Sequence, residues 1–278
     1  MTKREAIAMI VFVLAFISLI ASPVFAQNTQ PNFDTLISEY STSYAVWGEE
    51  KGRAKNIELA SRAFSDLIVQ PGEIVSYNKL VGARTEDKGF YLAHVILKGR
   101  LVDDFGGGAC QVSGTLHAAL LYAGGFGFVE RTHHTRKSTY LNIGLDATVV
   151  WLHRDFQFEN QFPFPVKIVR EITQDPNRKG KRVLTFKIFG LKKLYQVTTQ
   201  YETLDYEKMK IIKWRSQDPT FTKAKILDAG SNGYKVVFYV HAKNLATGET
   251  IISEERINYK MAEKLVVLPY KSDIAGQR

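Results

Sequence analysis

The stretch GGGACQVSGTLHAALLYAGG, residues 106–125, combines a glycine triplet, a cysteine and an apolar run. Val112, Leu116 and Leu120 recur at four-residue steps, together with two alanines, and predict the apolar face of a helix. The glycine pair at 124–125 follows, and glycine is the residue that most often ends a helix in the left-handed conformation. The stretch therefore predicts a helix that starts at Cys110 and packs one face against the rest of the fold.

The segments around this helix favour an antiparallel sheet. A second helix is predicted over residues 50–67, where apolar residues recur at three- and four-residue steps. Short segments that alternate, or that are rich in β-branched and aromatic residues, predict strands. These segments are 40–44, 74–77, 94–97, 101–102, 126–130, 147–152, 156–159, 166–170 and 183–189. Their short connections predict an α+β fold, in which an antiparallel sheet carries one or two packed helices.

Three regions are expected along the chain. Residues 1–26 read as a signal peptide, because a basic start precedes an apolar run and the small-x-small pattern Val24-Phe25-Ala26. An uncleaved N-terminal anchor is the alternative. Residues 27–195 would form the α+β domain. Residues 196–278 would form a small β-rich domain.

The predicted β-rich domain owes its assignment to three alternating segments. They are residues 222–227, 235–241 and 250–257, and the last two are expected to form a hairpin. Tyr201, Tyr206 and Trp214 are aromatic side chains of the kind that stacks on sugars, but we expect them to pack in the core.

Composition limits the classes of partner. The chain has a formal net charge of +9 at pH 7, and its basic residues are scattered rather than clustered. An exported basic protein suits an anionic cell envelope better than nucleic acid. No GxGxxG or P-loop pattern is present, so we expect no nucleotide or flavin cofactor. The oligomeric state is left open.

Cys110, the one cysteine of the chain, is a candidate nucleophile. The N-terminus of a helix favours negative charge and lowers the pKa of a thiol. Gly108 and its neighbours leave room for close approach of a substrate carbonyl, and backbone N–H groups at the helix start offer an oxyanion site. His133 or His134 would be the base, and Asp146, opening the next strand, would orient it.

Other readings of the same residues remain open. A lone cysteine on a helix is commonly a small buried hydrophobic residue, and an exposed acidic thiol without partners would serve as a redox sensor. Cys110, His133, His134 and Asp146 are all zinc-ligand types, but no CxxC or HxxxH spacing is present, so we expect no metal. The order Cys, His, Asp is similar to that of papain-like and transglutaminase-like enzymes, and suggests such an arrangement.

Several strings resemble the VanW family. They are GGGACQVSGTL at 106–116, the Val-Glu-Arg at 129–131, His134, GLDATV at 144–149, and upstream YSTSY at 40–44, PGEIVSYN at 71–78 and VGA at 81–83. The resemblance spans residues 40–190. The order of these motifs along the chain is also similar to that of the transglutaminase-like core, which is an analogy at the level of the fold. Residues 200–270 weakly resemble the G-five module of cell-surface proteins.

The resemblance implies a set of site residues. Cys110, His134 and Asp146 match the family's cysteine, histidine and aspartate, so His134 is favoured over His133. Oxyanion or supporting roles are implied by the same match for Gln111, Ser113, Glu130 and Arg131. This chain departs from the family pattern at Gly114, which replaces a threonine and predicts a looser helix start, and at Leu145, which replaces an arginine. Thr132 is a third departure, at a position where a further histidine is common.

The sequence thus predicts an exported protein of the periplasm or cell surface. The expected activity is a cysteine-dependent hydrolase or acyl transferase that acts on amide bonds of cell-wall peptides. The alternative is a non-catalytic envelope or glycan-binding protein in which the Cys-His-Asp set is structural. The expected partner is a cell-wall peptide or glycan, with no nucleic acid, and with membrane contact only through an uncleaved leader.

Overall fold

The computed structural model describes residues 31–97 and 100–271 of the 278-residue chain. The signal peptide predicted over residues 1–26 lies outside these ranges. Within them, no helix has the length and apolar character needed to cross a membrane.

The described part of the chain folds into strands and a few helices. The helices are α1 (Lys51–Ser61), α2 (Tyr77–Val81) and α3 (Ala109–Ala123). The strands are β1 (Thr35–Ala45), β2 (Leu67–Val69), β3 (Ile74–Ser76), β4 (Leu92–Leu97), β5 (Arg100–Phe105), β6 (Phe126–Glu130), β7 (Gln157–Asn160), β8 (Val166–Gln174), β9 (Lys181–Gly190), β10 (Tyr195–Glu207), β11 (Ile211–Arg215), β12 (Lys225–Asp228), β13 (Gly233–Asn244), β14 (Thr250–Tyr259) and β15 (Lys264–Leu268).

The strands form small, mostly antiparallel sheets. Their orders are β1-β9-β8-β2, β3-β7-β6, β10-β13-β14 and β11-β15-β12, with β4 and β5 as a separate hairpin. Among the described strands, the pairing of β11 with β15 is parallel and the others are antiparallel. The predicted α+β class with an antiparallel sheet is therefore confirmed.

Helix α3 lies in the middle of the fold. It packs on β1 and β9 of the first sheet and on β10, and Val112, Leu116 and Leu120 have no exposed surface. Most of its other residues are buried as well, including Ser113, Thr115 and His117. A helix surrounded on all sides needs partners for its polar side chains. The Thr115 hydroxyl meets that of Thr42 on β1 at 2.7 Å.

A second apolar cluster joins α3 to the sheet formed by β10, β13 and β14. It brings Ala118 and the loop residues Leu141 and Leu145 against Phe238 of β13 and Tyr259 of β14. Gly144 allows this approach, since an added Cβ would lie 2.4 Å from the Phe238 ring and the backbone φ is +81°. The cluster thus packs β14 against the loop that carries Asp146.

The predicted helices and most predicted strands are present, but the helix predicted over residues 50–67 is too long: α1 ends at Ser61, and Leu67 begins β2. The α3 prediction is confirmed at both ends, with Gly124 in the left-handed conformation at φ +78°. The hairpin expected from residues 235–241 and 250–257 is formed by β13 and β14. The strand predicted at 74–77 ends at Ser76, where the chain turns into α2 and the Ser76 hydroxyl accepts a hydrogen bond from the Lys79 N–H. The domain boundary near residue 195 stays a prediction.

The strand predicted at 147–152 is wrong. Ala147 and Val149 are buried. The β-branched run therefore indicates a buried segment rather than a strand of a sheet. The backbone of this segment bonds outside any sheet: the Thr148 N–H donates to the Thr132 carbonyl at 2.7 Å. The chain then turns at Leu152, whose φ is +63°.

The expectation that three tail aromatics pack in the core is also wrong. Tyr201, Tyr206 and Trp214 are 52%, 51% and 41% exposed. Tyr201 and Tyr206 lie on β10, an edge strand of its sheet, and the side chains of β10 are exposed from Gln200 onward.

Candidate active site

The glycine triplet lets three segments meet at the start of α3. Gly108, the residue before α3, has φ +107°, a conformation that side-chain-bearing residues rarely adopt. An added Cβ there would lie 2.8 Å from Ile57 of α1. At Gly107 it would lie 2.8 Å from the carbonyl oxygens of Ala93 and His94. The glycines thus make room for neighbouring side chains and backbone of the protein itself, which corrects the expectation that they leave room for a substrate.

Cys110 is the second residue of α3 and is partly exposed. Its Sγ lies 3.5 Å from both the backbone nitrogen and the carbonyl oxygen of Val149. Since Gln111 donates its N–H to Gly108 and Ala109 donates to Gly106, those two amides are occupied. The Cys110 N–H has no acceptor among residues 31–97 and 100–271. One backbone donor at the helix start is therefore available next to the thiol.

His134 and Asp146 form a buried pair beside the thiol. The His134 Nδ1 lies 2.8 Å from Asp146 Oδ2, and the His134 backbone N–H donates to the same oxygen at 2.5 Å. The two side chains are 6% and 2% exposed. Asp146 thereby fixes the tautomer and orientation of the ring, and Nε2 is left as the ring nitrogen for Cys110. Neither residue lies on a strand, because the whole segment from Arg131 to Phe156 is irregular.

Tyr259 completes the surroundings of Asp146 and was missed by the sequence reasoning. Its hydroxyl donates a hydrogen bond to Asp146 Oδ1 and accepts one from the Gly144 N–H at 3.1 Å. Tyr259 is one of thirteen tyrosines and lies on β14, far along the chain from Asp146. No local pattern distinguishes it, because its role depends on a contact between distant segments.

The Arg131 side chain holds the backbone of the loop that carries Asp146. Its Nε donates to the Asp146 carbonyl at 2.8 Å and its Nη2 donates to the Gly144 carbonyl at 2.7 Å. Nη2 also lies 3.9 Å from Asp146 Oδ1, and Nη1 forms an ion pair with Glu255 of β14. The supporting role implied for Arg131 is consistent with these contacts. Arg131 and Tyr259 both tie the loop to β14.

The electrostatics of the three groups favour an ion pair between thiolate and imidazolium. Burial raises the pKa of the Cys110 thiol, but hydrogen bonding to His134 and its charge outweigh burial, and the net pKa lies below the ordinary value. Burial lowers the pKa of His134, yet the hydrogen bonds to Asp146 and Cys110 raise it overall. Burial raises the pKa of Asp146, and hydrogen bonds from His134 and Tyr259 reverse that effect and lower it.

The side chains of Gln111 and Ser113 have structural rather than oxyanion-binding partners. The Gln111 amide donates to Thr42 Oγ1 at 3.0 Å and to the Ser43 carbonyl at 3.2 Å, while its Oε1 accepts from Arg53 at 2.6 Å. The Ser113 hydroxyl donates to the Ala147 carbonyl at 2.7 Å. Gln111 fastens α3 to β1. Ser113 fastens α3 to the segment that carries Asp146.

Glu130 lies apart from the cysteine. Its Oε1 accepts the Asp155 N–H at 2.7 Å and its Oε2 accepts from Gln157 at 3.2 Å. The implied supporting role is therefore limited to the turn around Asp155. That turn borders a surface cleft lined also by Trp151 and Lys79.

Gly114 and Leu145, two of the departures from the family pattern, are both packed. An added Cβ at Gly114 would lie 2.5 Å from Leu141 Cδ1 and 3.6 Å from Asp146 Cα. Gly114 therefore brings α3 close to the Asp146 loop, where a looser helix start was expected. Leu145 is 1% exposed and belongs to the second apolar cluster.

The contacts of His133 are with residues other than Cys110. Its Nδ1 pairs with the His134 carbonyl at 2.8 Å, and its ring lies edge-on to Tyr259. Within the ranges that the structure describes, no three His, Cys, Asp or Glu side chains are grouped in a way that would hold a metal ion.

Comparison with known proteins agrees with the resemblance noted from the sequence. Residues 52–179 match the family model described as "VanW like protein". The chain is 40% identical over 148 residues to "Uncharacterized protein YoaR" of Bacillus subtilis (strain 168), covering 51% of this chain and 48% of the relative. It is 26% identical over 121 residues to "Vancomycin B-type resistance protein VanW" of Enterococcus faecalis (strain ATCC 700802 / V583), covering 42% of this chain and 43% of the relative.

The chain thus spans about half the length of the curated relatives it matches. A solved structure titled "Crystal structure of HP0197-G5" matches 27% of this chain and 96% of its own at 14% identity, with a TM-score of 0.15. A TM-score that low carries no argument, so the G-five likeness stays an expectation. The resemblance to the VanW family is confirmed by this match over residues 52–179.

Proposed function

We propose that this protein is a cysteine-dependent hydrolase or acyl transferase that acts on amide bonds of cell-wall peptides. The observation that carries the proposal is the arrangement at the start of α3, where His134 lowers the pKa of the Cys110 thiol and is itself held by Asp146 at 2.8 Å. A nucleophile, a base and a group that orients the base are the three parts of such a catalyst.

Each step follows from these contacts. The Cys110 thiolate attacks the carbonyl carbon of the amide, and the electron pair of the carbonyl moves to oxygen. The free Cys110 N–H is a donor for that oxyanion. The C–N bond then breaks, His134 gives its proton to the leaving amine, and a thioester forms on Cys110. Water releases the acid in a hydrolase; a second amine takes the acyl group in a transferase.

The arrangement has a limited likeness to papain-like and transglutaminase-like enzymes. A cysteine at the start of a helix, followed in the chain by histidine and aspartate, supports the comparison. His134 and Asp146 lie on an irregular segment instead of on successive strands. The likeness is therefore one of chain order and of roles.

The cell envelope is the proposed location, in the periplasm or at the cell surface. The signal-peptide pattern at residues 1–26 and the net charge of +9 support an exported protein that meets anionic material. One relative bears the name of a vancomycin resistance protein. A substrate among cell-wall peptides is compatible with that name.

The test is the pH dependence of Cys110 alkylation by iodoacetamide in the folded protein. Because Cys110 is the one cysteine of the chain, the reaction reports a single site. We expect an apparent pKa below that of a free thiol, about 8.5, and a higher value in His134→Ala. His133→Ala is the matched control and should leave the profile unchanged. A thiol that reacts only after denaturation would refute the proposed nucleophile.

One observation favours a second function, the binding of envelope glycans. Tyr201 and Tyr206 on β10 and Trp214 on β11 are about half exposed. Exposed aromatic rings are suited to stack on sugars. In that reading the Cys110–His134–Asp146 set is structural. Retention of the protein on purified cell-wall material, lost in Tyr201→Ala or Trp214→Ala and kept in Cys110→Ala, is the result that would support it.

A further inference from the structure

Arg84 lies beside the proposed active site, and its two terminal nitrogens make no hydrogen bond within residues 31–97 and 100–271. It follows α2 in the loop that leads to β4, and its guanidinium Cζ is 5.4 Å from the centroid of the Tyr77 ring. Burial raises the pKa of Cys110, and the charge of Arg84 is one of the effects that lower it, after those of His134 and Val149. The Tyr77 hydroxyl donates to the Ala109 carbonyl at 3.1 Å, in the first turn of α3. Arg84 therefore borders the helix start.

Both terminal nitrogens of Arg84 are buried and unpaired. Nη1 and Nη2 have no hydrogen-bond acceptor among residues 31–97 and 100–271, and neither has water-accessible surface. Buried polar groups in folded proteins are nearly always paired, and a buried donor without a partner is destabilising. Arg131 at the same site differs, since its donors are paired with Asp146, Gly144 and Glu255.

The glycine triplet holds Arg84 in this place. An added Cβ at Gly106, whose φ is +82°, would lie 2.5 Å from Arg84 Cβ and 2.6 Å from its Cγ. The stem of Arg84 thus packs on a position that only glycine leaves open. The first residue of the motif that carries Cys110 is thereby linked to the guanidinium.

We propose that Arg84 binds a carboxylate of the substrate next to the reacting carbonyl. The planar fork of a guanidinium matches a carboxylate, and the two donors it needs are the two that the protein leaves unpaired. The N-terminus of α3 favours negative charge at the same place. The covered nitrogens become available as the loop around Arg84 yields to the ligand, and pairing them relieves the unsatisfied donors.

This inference rests on the proposed function, because it names a substrate group for the same cysteine. It restricts the substrate to acyl compounds with a free carboxylate near the amide that is cleaved. Neutral amides of the same size would lack the group that Arg84 holds.

The test uses N-acetylglycine and its neutral analogue N-acetylglycine amide as probes on the full chain. Calorimetry is expected to detect binding of N-acetylglycine, with affinity roughly tenfold lower for the amide, the value of one charge-assisted hydrogen bond. Arg84→Gln should abolish the preference. Arg84→Lys, which keeps the charge and loses the fork, should recover only part of it. N-acetylglycine should also slow the alkylation of Cys110 by iodoacetamide.

The outcomes separate the two proposals. Equal binding of acid and amide, or an acid preference that survives Arg84→Gln, overturns the role of Arg84 even if Cys110 is an acidic, reactive thiol. A thiol that stays inert refutes the proposed nucleophile, while calorimetry still decides whether Arg84 binds carboxylates. Since Arg84→Gln removes unpaired donors, its unfolding midpoint should not fall, and circular dichroism serves as the check.

Discussion

Replacing Tyr259 with phenylalanine removes one hydroxyl and leaves the ring packing intact. Tyr259 is 1% exposed, and its hydroxyl is shared between the Asp146 carboxylate and the Gly144 N–H. A hydrogen bond to a charged group contributes about 1.5–3 kcal/mol, and a buried N–H left unpaired costs about 1–3 kcal/mol. Because Asp146 keeps His134 as a partner, we expect the free energy of unfolding to fall by roughly 3 kcal/mol.

The assay is thermal unfolding, together with the alkylation profile of Cys110. For a chain of this size, roughly 3 kcal/mol corresponds to about 6–12 °C in the unfolding midpoint. The thiol pKa should change little, because His134 remains the direct partner of Cys110. Tyr201→Phe is the matched control, since Tyr201 lies in the same sheet and is 52% exposed. Equal stability of the two variants would refute the reasoning.

Three further predictions follow from buried contacts. Stability should fall as pH drops below about 3.8, because His134 holds the pKa of Asp146 below that ordinary value, and Asp146→Asn should flatten this acid limb in urea titrations. Gly108→Ala should lower the unfolding midpoint, with a cost of about 1–3 kcal/mol from φ +107° alone; a midpoint equal to that of the parent would contradict it. Arg136→Met should cost about 3–5 kcal/mol, because it strands Asp228, which now accepts both guanidinium nitrogens at 2.7 and 2.8 Å. Adding Asp228→Leu should recover part of that loss in the same assay.

Local sequence patterns predicted the elements whose limits depend mainly on neighbouring residues. The limits of α3 follow from glycines on both sides, and the β13–β14 hairpin follows from alternation across a turn. The order of Cys110, His134 and Asp146 along the chain predicted that the three residues lie near one another, because a nucleophile, base and orienting acid have recognisable types. Their catalytic roles stay a prediction.

Other features depend on contacts that no local pattern encodes. Tyr259 and Arg84 reach the site from distant segments, and neither is distinguished by its neighbours in sequence. The run at 147–152 reads as a strand because burial and sheet membership select the same β-branched residues. Val149 is buried, yet its backbone contacts the thiol of Cys110.

The family match is shorter than the smallest fragment worth expressing. Residues 52–179 exclude β1, which Gln111 binds, and end before β9 begins at Lys181. A fragment cut at those limits would bare the apolar side of α3 to solvent and leave Asp146 without the Tyr259 hydroxyl. Such a fragment would be prone to aggregate. A fragment that runs from β1 through β14 keeps the contacts of the site to β1 and β14.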